Sequence, residues 1–215
     1  MISNLVKDAV RTRMDQVGRV LARTGLTPDA ASILGLAING VVAVVLASGR
    51  FGLGGLLLLL AAPFDMVDGA LARATGKGSV YGAFLDSMLD RYSEVVLFFG
   101  LLWHIQHDPI HATTRTLLIY ACATGSLLVS YARARAEALG FDNEVGILAR
   151  PERVVGLGAF LLFGWTDIIL WLLAVLTYVT ALQRLIHVWL RWRQQVDTRS
   201  QKPEARSQKP EARNQ

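Results

Sequence analysis

The chain has 215 residues, of which 53% are hydrophobic, with a mean hydropathy of +0.38 and a formal net charge of +5. Apolar runs approaching the roughly 20 residues that cross a bilayer point to an all-α integral membrane protein and exclude an ordinary soluble domain. The basic residues flank apolar runs instead of forming one patch, which argues against a nucleic-acid partner, and the lone Cys122 excludes an intramolecular disulfide and a cysteine-built metal site.

Residues 1–22 are too polar for a cleavable signal peptide, which needs an early apolar core. Val6, Val10, Met14, Val17 and Leu21 recur every three or four residues, with Lys7, Arg11 and Arg13 between them. That spacing predicts an amphipathic juxtamembrane helix on an anionic membrane surface, a reading compatible with packing on the bundle. Six spans are predicted next, near 30–48, 51–72, 79–103, 114–136, 152–165 and 167–190. One domain covers 1–195. Residues 196–215 contain RSQKPEA twice, carry no apolar periodicity and are expected to be a disordered polar tail.

Six spans put both ends on one side. Lys7, Arg11, Arg13, Arg19 and Arg23 precede the first span, and Arg191, Arg193, Arg199 and Lys202 follow the last. The connections after spans two and four carry Arg73, Lys77, Arg133, Arg135, Arg150 and Arg153, whereas the opposite ones have little beyond Arg50 and Arg115. The positive-inside rule therefore places both termini in the cytoplasm, with the protein expected in the plasma membrane. Trp103, Trp165, Trp171, Trp189 and Trp192 fall mostly near span ends, as interfacial anchors do. His104, His107 and His111 lie on the far side and read as loop residues, with no other ligand type beside them.

The chemistry concentrates between the second and third spans, on the cytoplasmic side. The sequence there is Asp65-x-x-Asp68-Gly69-x-x-Ala72-Arg73, eight residues, then Gly82-x-x-x-Asp86-x-x-x-Asp90. An ionisable group at the centre of a membrane helix costs roughly 2.5–3.5 kcal/mol, so four together require a shared purpose. On a continuous helix over 55–74, Asp65, Asp68, Gly69, Ala72 and Arg73 fall within about 140° of one another. On the next helix Gly82, Asp86 and Asp90 drift by about 40° per step and make one stripe. Gly76 and Gly78 allow the chain to reverse between them. The four carboxylates would then converge, and hard divalent cations, Mg²⁺ or Mn²⁺ with Ca²⁺ as a competitor, would relieve their repulsion. Four acids suffice for two ions, an arrangement that clamps both sides of a phosphoryl-type displacement. Gly69, Ala72 and Gly82 leave room for a ligand, and Arg73 offers a fork to a phosphate. Glu94, one turn beyond Asp90, is expected to pair structurally with Arg91.

This eight-position pattern resembles that of the CDP-alcohol phosphotransferases, and the resemblance covers nearly the whole membrane region. It implies a homodimer of six-span chains that displaces CMP from a CDP-linked donor with an acceptor hydroxyl. Asp65, Asp68 and Asp86 would be metal ligands; Asp90 would share in the metal site and take the acceptor's proton as catalytic base. Pro28, Asp29, Asp68, Gly69, Ala72, Arg73 and Gly82 would form the CDP site.

The run from Ser130 to Glu137, Ser-Tyr-Ala-Arg-Ala-Arg-Ala-Glu, followed by Arg150-Pro151-Glu152-Arg153, is similar to a segment of the phosphatidylinositol phosphate and archaetidylinositol phosphate synthases. Arg133, Arg135, Arg150 and Arg153 together would suit an acceptor that itself carries phosphate. Inositol 1-phosphate with a CDP-linked lipid donor is the leading expectation. Glycerol 3-phosphate as acceptor, or CDP-inositol as a soluble donor, keeps the same metals. A cation transporter would place its acids near the bilayer midplane in repeated halves, and only one copy of the pattern occurs.

Overall fold

A computed structural model describes residues 2–106, 112–143 and 145–207, with side chains over 12–106, 112–143 and 145–197. Among these residues it is helical throughout, with no strand. The helices are α1 (Ile2–Ala22), α2 (Pro28–Ala47), α3 (Phe51–Ala61), α4 (Val67–Thr75), α5 (Val80–Ile105), α6 (Ala112–Ala138), α7 (Arg150–Leu162) and α8 (Thr166–Ser207). A 3-10 turn, Ala62–Met66, joins α3 to α4.

Local chemistry sets the boundaries that matter for the site. Thr27 caps α2 by accepting from the Ala30 amide at 3.2 Å, and Pro28 occupies the first turn, where its missing N–H costs nothing. Ser79 caps α5 in the same way, accepting from Gly82 N at 2.8 Å. Gly76 ends α4 in the left-handed region at φ 64°, so the chain turns back toward α5 within a few residues.

The expected unbroken helix over 55–74 is interrupted. Pro63 has no N–H to continue the α-helical ladder and its ring crowds the preceding turn, so the backbone tightens into the 3-10 turn before resuming as α4. Asp65 lies in that turn, while Asp68, Gly69, Ala72 and Arg73 lie in α4.

Four segments among the described residues are long and apolar enough to cross a bilayer: Pro28–Ala47, Phe51–Thr75, Ala112–Ala138 and Thr166–Asp197. The fifth expected span is α7, whose 13 residues extend about 20 Å, short of a hydrocarbon core of about 30 Å. The third is α5, long enough at 26 residues but carrying Asp86, Asp90, Arg91 and Glu94 in its first half. The outward surface has the character expected in lipid: Val44, Leu60, Tyr120 and Leu185 are all about two-thirds exposed. It is a multi-pass membrane protein.

Leu46, Leu58, Leu97, Leu101, Leu161 and Leu170 are buried in the centre of the bundle, where α2 packs on α5, α3 on α7 and α6 on α8. Lipid tails are as apolar as leucine, so close backbone approach matters more here than removal from water. A Cβ on Gly55 would lie 2.5 Å from the Gly158 carbonyl oxygen, and that clearance is what lets α3 and α7 touch.

Helix α1 packs on α4, with Gly18 seated where a Cβ would come within 2.6 Å of the Ala70 carbonyl oxygen. Met14 and Leu21 pack with Val67 and Leu71. At the other end, the backbone of α8 continues as helix to Ser207, past residue 196 where the polar tail was expected; residues 208–215 lie outside the described residues.

Candidate active site

The four aspartates meet. Asp65, Asp68, Asp86 and Asp90 line one narrow cavity with Ser32, Gly35 and Ser93, at the end of the bundle where the 3-10 turn, α4 and the first half of α5 face α2. The α5 stripe behaves as its spacing predicts, and the proline break still delivers Asp65 to the cavity.

Each carboxylate has a distinct set of neighbours. Asp68 accepts from Ser32 Oγ at 2.7 Å and from the Gly69 amide at 2.5 Å. Asp86 faces Asp68. Arg150, the first residue of α7, places Nη2 3.1 Å from Asp65 Oδ2 and 3.0 Å from Asp90 Oδ1. Its Nε is buried and has no hydrogen-bond partner. Arg150 was expected among the acceptor's contacts; the fold sets it on the carboxylates themselves.

Among the described residues no three acidic, histidine or cysteine groups close into a ready-made ion cage, and a guanidinium lies across two of the acids. The donor chemistry nonetheless fits a hard divalent cation, because the cavity offers four carboxylates and hydroxyl oxygens and no sulfur or imidazole.

The residues expected around CDP fall beside this cavity. Gly82 stands against Asp29: a Cβ there would lie 2.9 Å from Asp29 Oδ1 and 3.1 Å from Ser79 Oγ. The glycine thus brings the start of α5 against the start of α2. A Cβ on Gly69 would touch Arg73 Nη1 at 3.4 Å. Arg73 itself is held by Asp15 of α1, with Nη2 2.7 Å and Nε 3.0 Å from Asp15 Oδ1.

Two further expectations change. Glu94 does not pair with Arg91, which donates to the Ser87 carbonyl of its own helix. Its partner is Arg153, with Nε and Nη2 at 2.8 and 2.9 Å from the two carboxylate oxygens, both side chains under 10% exposed. Arg91 lies three positions from Glu94 along one helix, but Arg153 crosses from α7 and reaches both oxygens at once. Arg153, also expected on the acceptor, is thereby committed to a buried fork. Arg133 pairs with Glu137 at 2.7 Å, and Arg135 is exposed nearby on α6. His104 packs edge-on to Phe51 at 4.9 Å; His107 and His111 lie outside the described residues.

Sequence reasoning missed Ser32 and Arg184. Ser32 lies one turn after Pro28, and its hydroxyl, one of the few polar groups in the first span with Asn39, was its only signal. Arg184 is buried in α8, donating from Nε to the Val145 carbonyl at 2.9 Å and from Nη1 to the Val129 carbonyl at 2.6 Å, with Arg133 and Arg153 as its charged neighbours. An arginine seven residues before Arg191, at the basic end of the last span, was the available clue.

Residues 25–193 match the CDP-alcohol phosphatidyltransferase family. The chain belongs to that family. It is therefore a transferase. Among curated relatives, the phosphatidylinositol phosphate synthase of Mycobacterium tuberculosis is 38% identical over 185 residues, covering 80% of this chain and 84% of that one. The archaetidylinositol phosphate synthase of Pyrococcus horikoshii is 35% identical over 186 residues, covering 84% and 93%. A solved structure of the M. tuberculosis synthase in complex with manganese and citrate superposes with a TM-score of 0.74 at 35% identity, covering 82% of this chain and 88% of that one. The same synthase with CDP-DAG bound gives the same TM-score and identity, covering 82% and 93%.

Proposed function

We propose that the protein transfers a phosphatidyl-type group from a CDP-linked lipid, CDP-diacylglycerol or an analogue, to inositol 1-phosphate, releasing CMP and forming a phosphatidylinositol phosphate. The observation that carries this reading is the single cavity lined by Asp65, Asp68, Asp86 and Asp90 beside the Asp29 and Gly82 contact. The likeness to synthases of this name over four-fifths of the chain supports the choice of acceptor.

Asp65, Asp68, Asp86 and Asp90 would hold two Mg²⁺ or Mn²⁺ ions, which when bound supply positive charge against the donor's pyrophosphate and the departing CMP. Ser32 keeps Asp68 oriented. Pro28, Asp29, Gly69, Ala72, Arg73 and Gly82 would form the nucleotide side, with the two glycines leaving its walls open. Asp90 accepts the proton of the acceptor hydroxyl as that oxygen bonds to the lipid-bearing phosphorus and the bond from that phosphorus to CMP breaks. Arg133 and Arg135 would meet the acceptor's phosphate, Arg150 would hold Asp65 and Asp90 in place, and Arg153 would serve by fixing α7 to α5 through Glu94.

The same reading places six helices across the plasma membrane, with both termini and the acids cytoplasmic, α1 lying along the membrane surface and two chains forming a homodimer. The polar residues beyond 196 would be dispensable for chemistry. Positive-inside asymmetry and the family support these assignments.

CMP release by purified protein with CDP-diacylglycerol and Mg²⁺ tests the reading. Release with inositol 1-phosphate, and not with glycerol 3-phosphate or free inositol, is expected. Preference for glycerol 3-phosphate would keep the carboxylate site and overturn the acceptor.

A further inference from the structure

Asp15 is the only acid among the described side chains of α1, and it lies on the face that α1 turns to α4, with Met14, Gly18 and Leu21 beside it. That face is secured without it. Gly18 sits against the Ala70 carbonyl, and Met14 and Leu21 pack with Val67 and Leu71. An ion pair whose members keep 44% and 32% of their side-chain surface exposed adds little to such a contact. What Asp15 does set is the pose of Arg73. Nε and Nη2 both donate to Asp15 Oδ1, at 3.0 and 2.7 Å, which fixes the direction of the planar guanidinium. An arginine in the last turn of a helix commonly serves the free carbonyls there. Arg73, in the last turn of α4, leans back over the preceding turn instead, with Nη1 3.4 Å from where a Cβ on Gly69 would stand. The Gly69 amide is the one that donates to Asp68, so the remaining nitrogen of the fork is presented beside a carboxylate of the cavity.

We propose, on the reading that sets Arg73 on the nucleotide side, that Asp15 is a positioning residue for the donor, holding the Arg73 fork with Nη1 turned toward the pyrophosphate of the CDP-linked lipid. A part-exposed arginine left to itself explores many rotamers, and a phosphate must order it on binding. Asp15 supplies that order in advance. It does so from α1, a helix that contributes none of the described residues lining the carboxylate cavity. The docked α1 is thereby part of the donor site, by way of one side chain that does not itself meet the donor. The opposite role, a carboxylate that withholds Arg73 from the donor, predicts tighter binding once the acid is removed.

Equilibrium binding of CDP-diacylglycerol to the full-length protein in detergent, with Mg²⁺ and no acceptor, tests this whichever acceptor is used. Asp15→Asn should weaken binding about fivefold, the cost of ordering one rotamer-rich side chain, and shift the melting temperature by less than about 3 °C. Arg73→Gln should weaken binding about tenfold. In the Arg73→Gln background Asp15→Asn should have no further effect, which a role in docking α1 would not produce. Steady-state CMP release should follow the same pattern in the donor's KM, with the acceptor's KM unchanged. Tighter or unchanged binding in Asp15→Asn, or an equal loss in both backgrounds, would overturn the proposal alone. No loss in Arg73→Gln would remove Arg73 from the nucleotide side and overturn the proposal with it.

Discussion

Arg150 Nη2 lies 3.0 Å from Asp90 Oδ1, so the proposed base is held by a cation from another helix that also reaches Asp65. One turn further along, Arg153 and Glu94 repeat the arrangement in the core. Helices α5 and α7 are thus joined by two rungs of charge, one at the cavity and one beneath it.

Asp90→Asn keeps the size of the side chain and removes its capacity to take a proton. CMP release should fall by about 10²–10⁴-fold, the usual contribution of a positioned base, while the CDP-linked donor still binds. Steady-state rates together with donor titration check this, and unchanged turnover would remove Asp90 from the role.

Arg153→Met leaves Glu94 charged and alone in the core. Losing one partner of a buried pair costs about 3–5 kcal/mol, so thermal unfolding in detergent should occur well below that of the parent protein. The double change Glu94→Leu with Arg153→Met should recover most of the loss. A double variant no more stable than the single one would show that the helices are held by something other than this pair.

Gly82→Ala would put a methyl 2.9 Å from Asp29 Oδ1. Overpacking of this kind costs about 1–3 kcal/mol, and about 1.4 kcal/mol corresponds to tenfold. The donor's KM should rise about tenfold, with the acceptor's little changed. An equal rise in both would place the glycine outside the nucleotide side.

Chelation by EDTA should stop CMP release, and Mg²⁺ or Mn²⁺ should restore it where Zn²⁺ does not, because the cavity presents carboxylate and hydroxyl oxygens. Full turnover in EDTA would contradict the assignment of the four acids as ligands.

The convergence of the acids was legible in the sequence because it rests on two helical faces and a glycine turn, all local properties of residues 65–90. The break at Pro63 was equally local, and an apolar run reads as continuous only when that proline is overlooked. Partner choice was less accessible. Arg91 is near Glu94 along the chain, yet Arg153 reaches it from 59 residues away, because a neighbouring helix can aim a guanidinium fork that the same helix cannot. Arg73 and Asp15, and Ser32 and Asp68, are long-range pairs of the same kind. Boundaries and faces follow from neighbouring residues; which charge meets which is decided by how helices stack.

The Glu94 and Arg153 pair also bears on how the chain is made. A ribosome adding about 5–20 residues per second leaves about 3–12 s between the two, during which α5 exists with its carboxylate unmatched. A lone charge is poorly tolerated in hydrocarbon. Helix α5 is therefore best kept at the insertion machinery until α7 emerges to meet it, and assembly of this bundle follows an order fixed by charge and not by hydropathy.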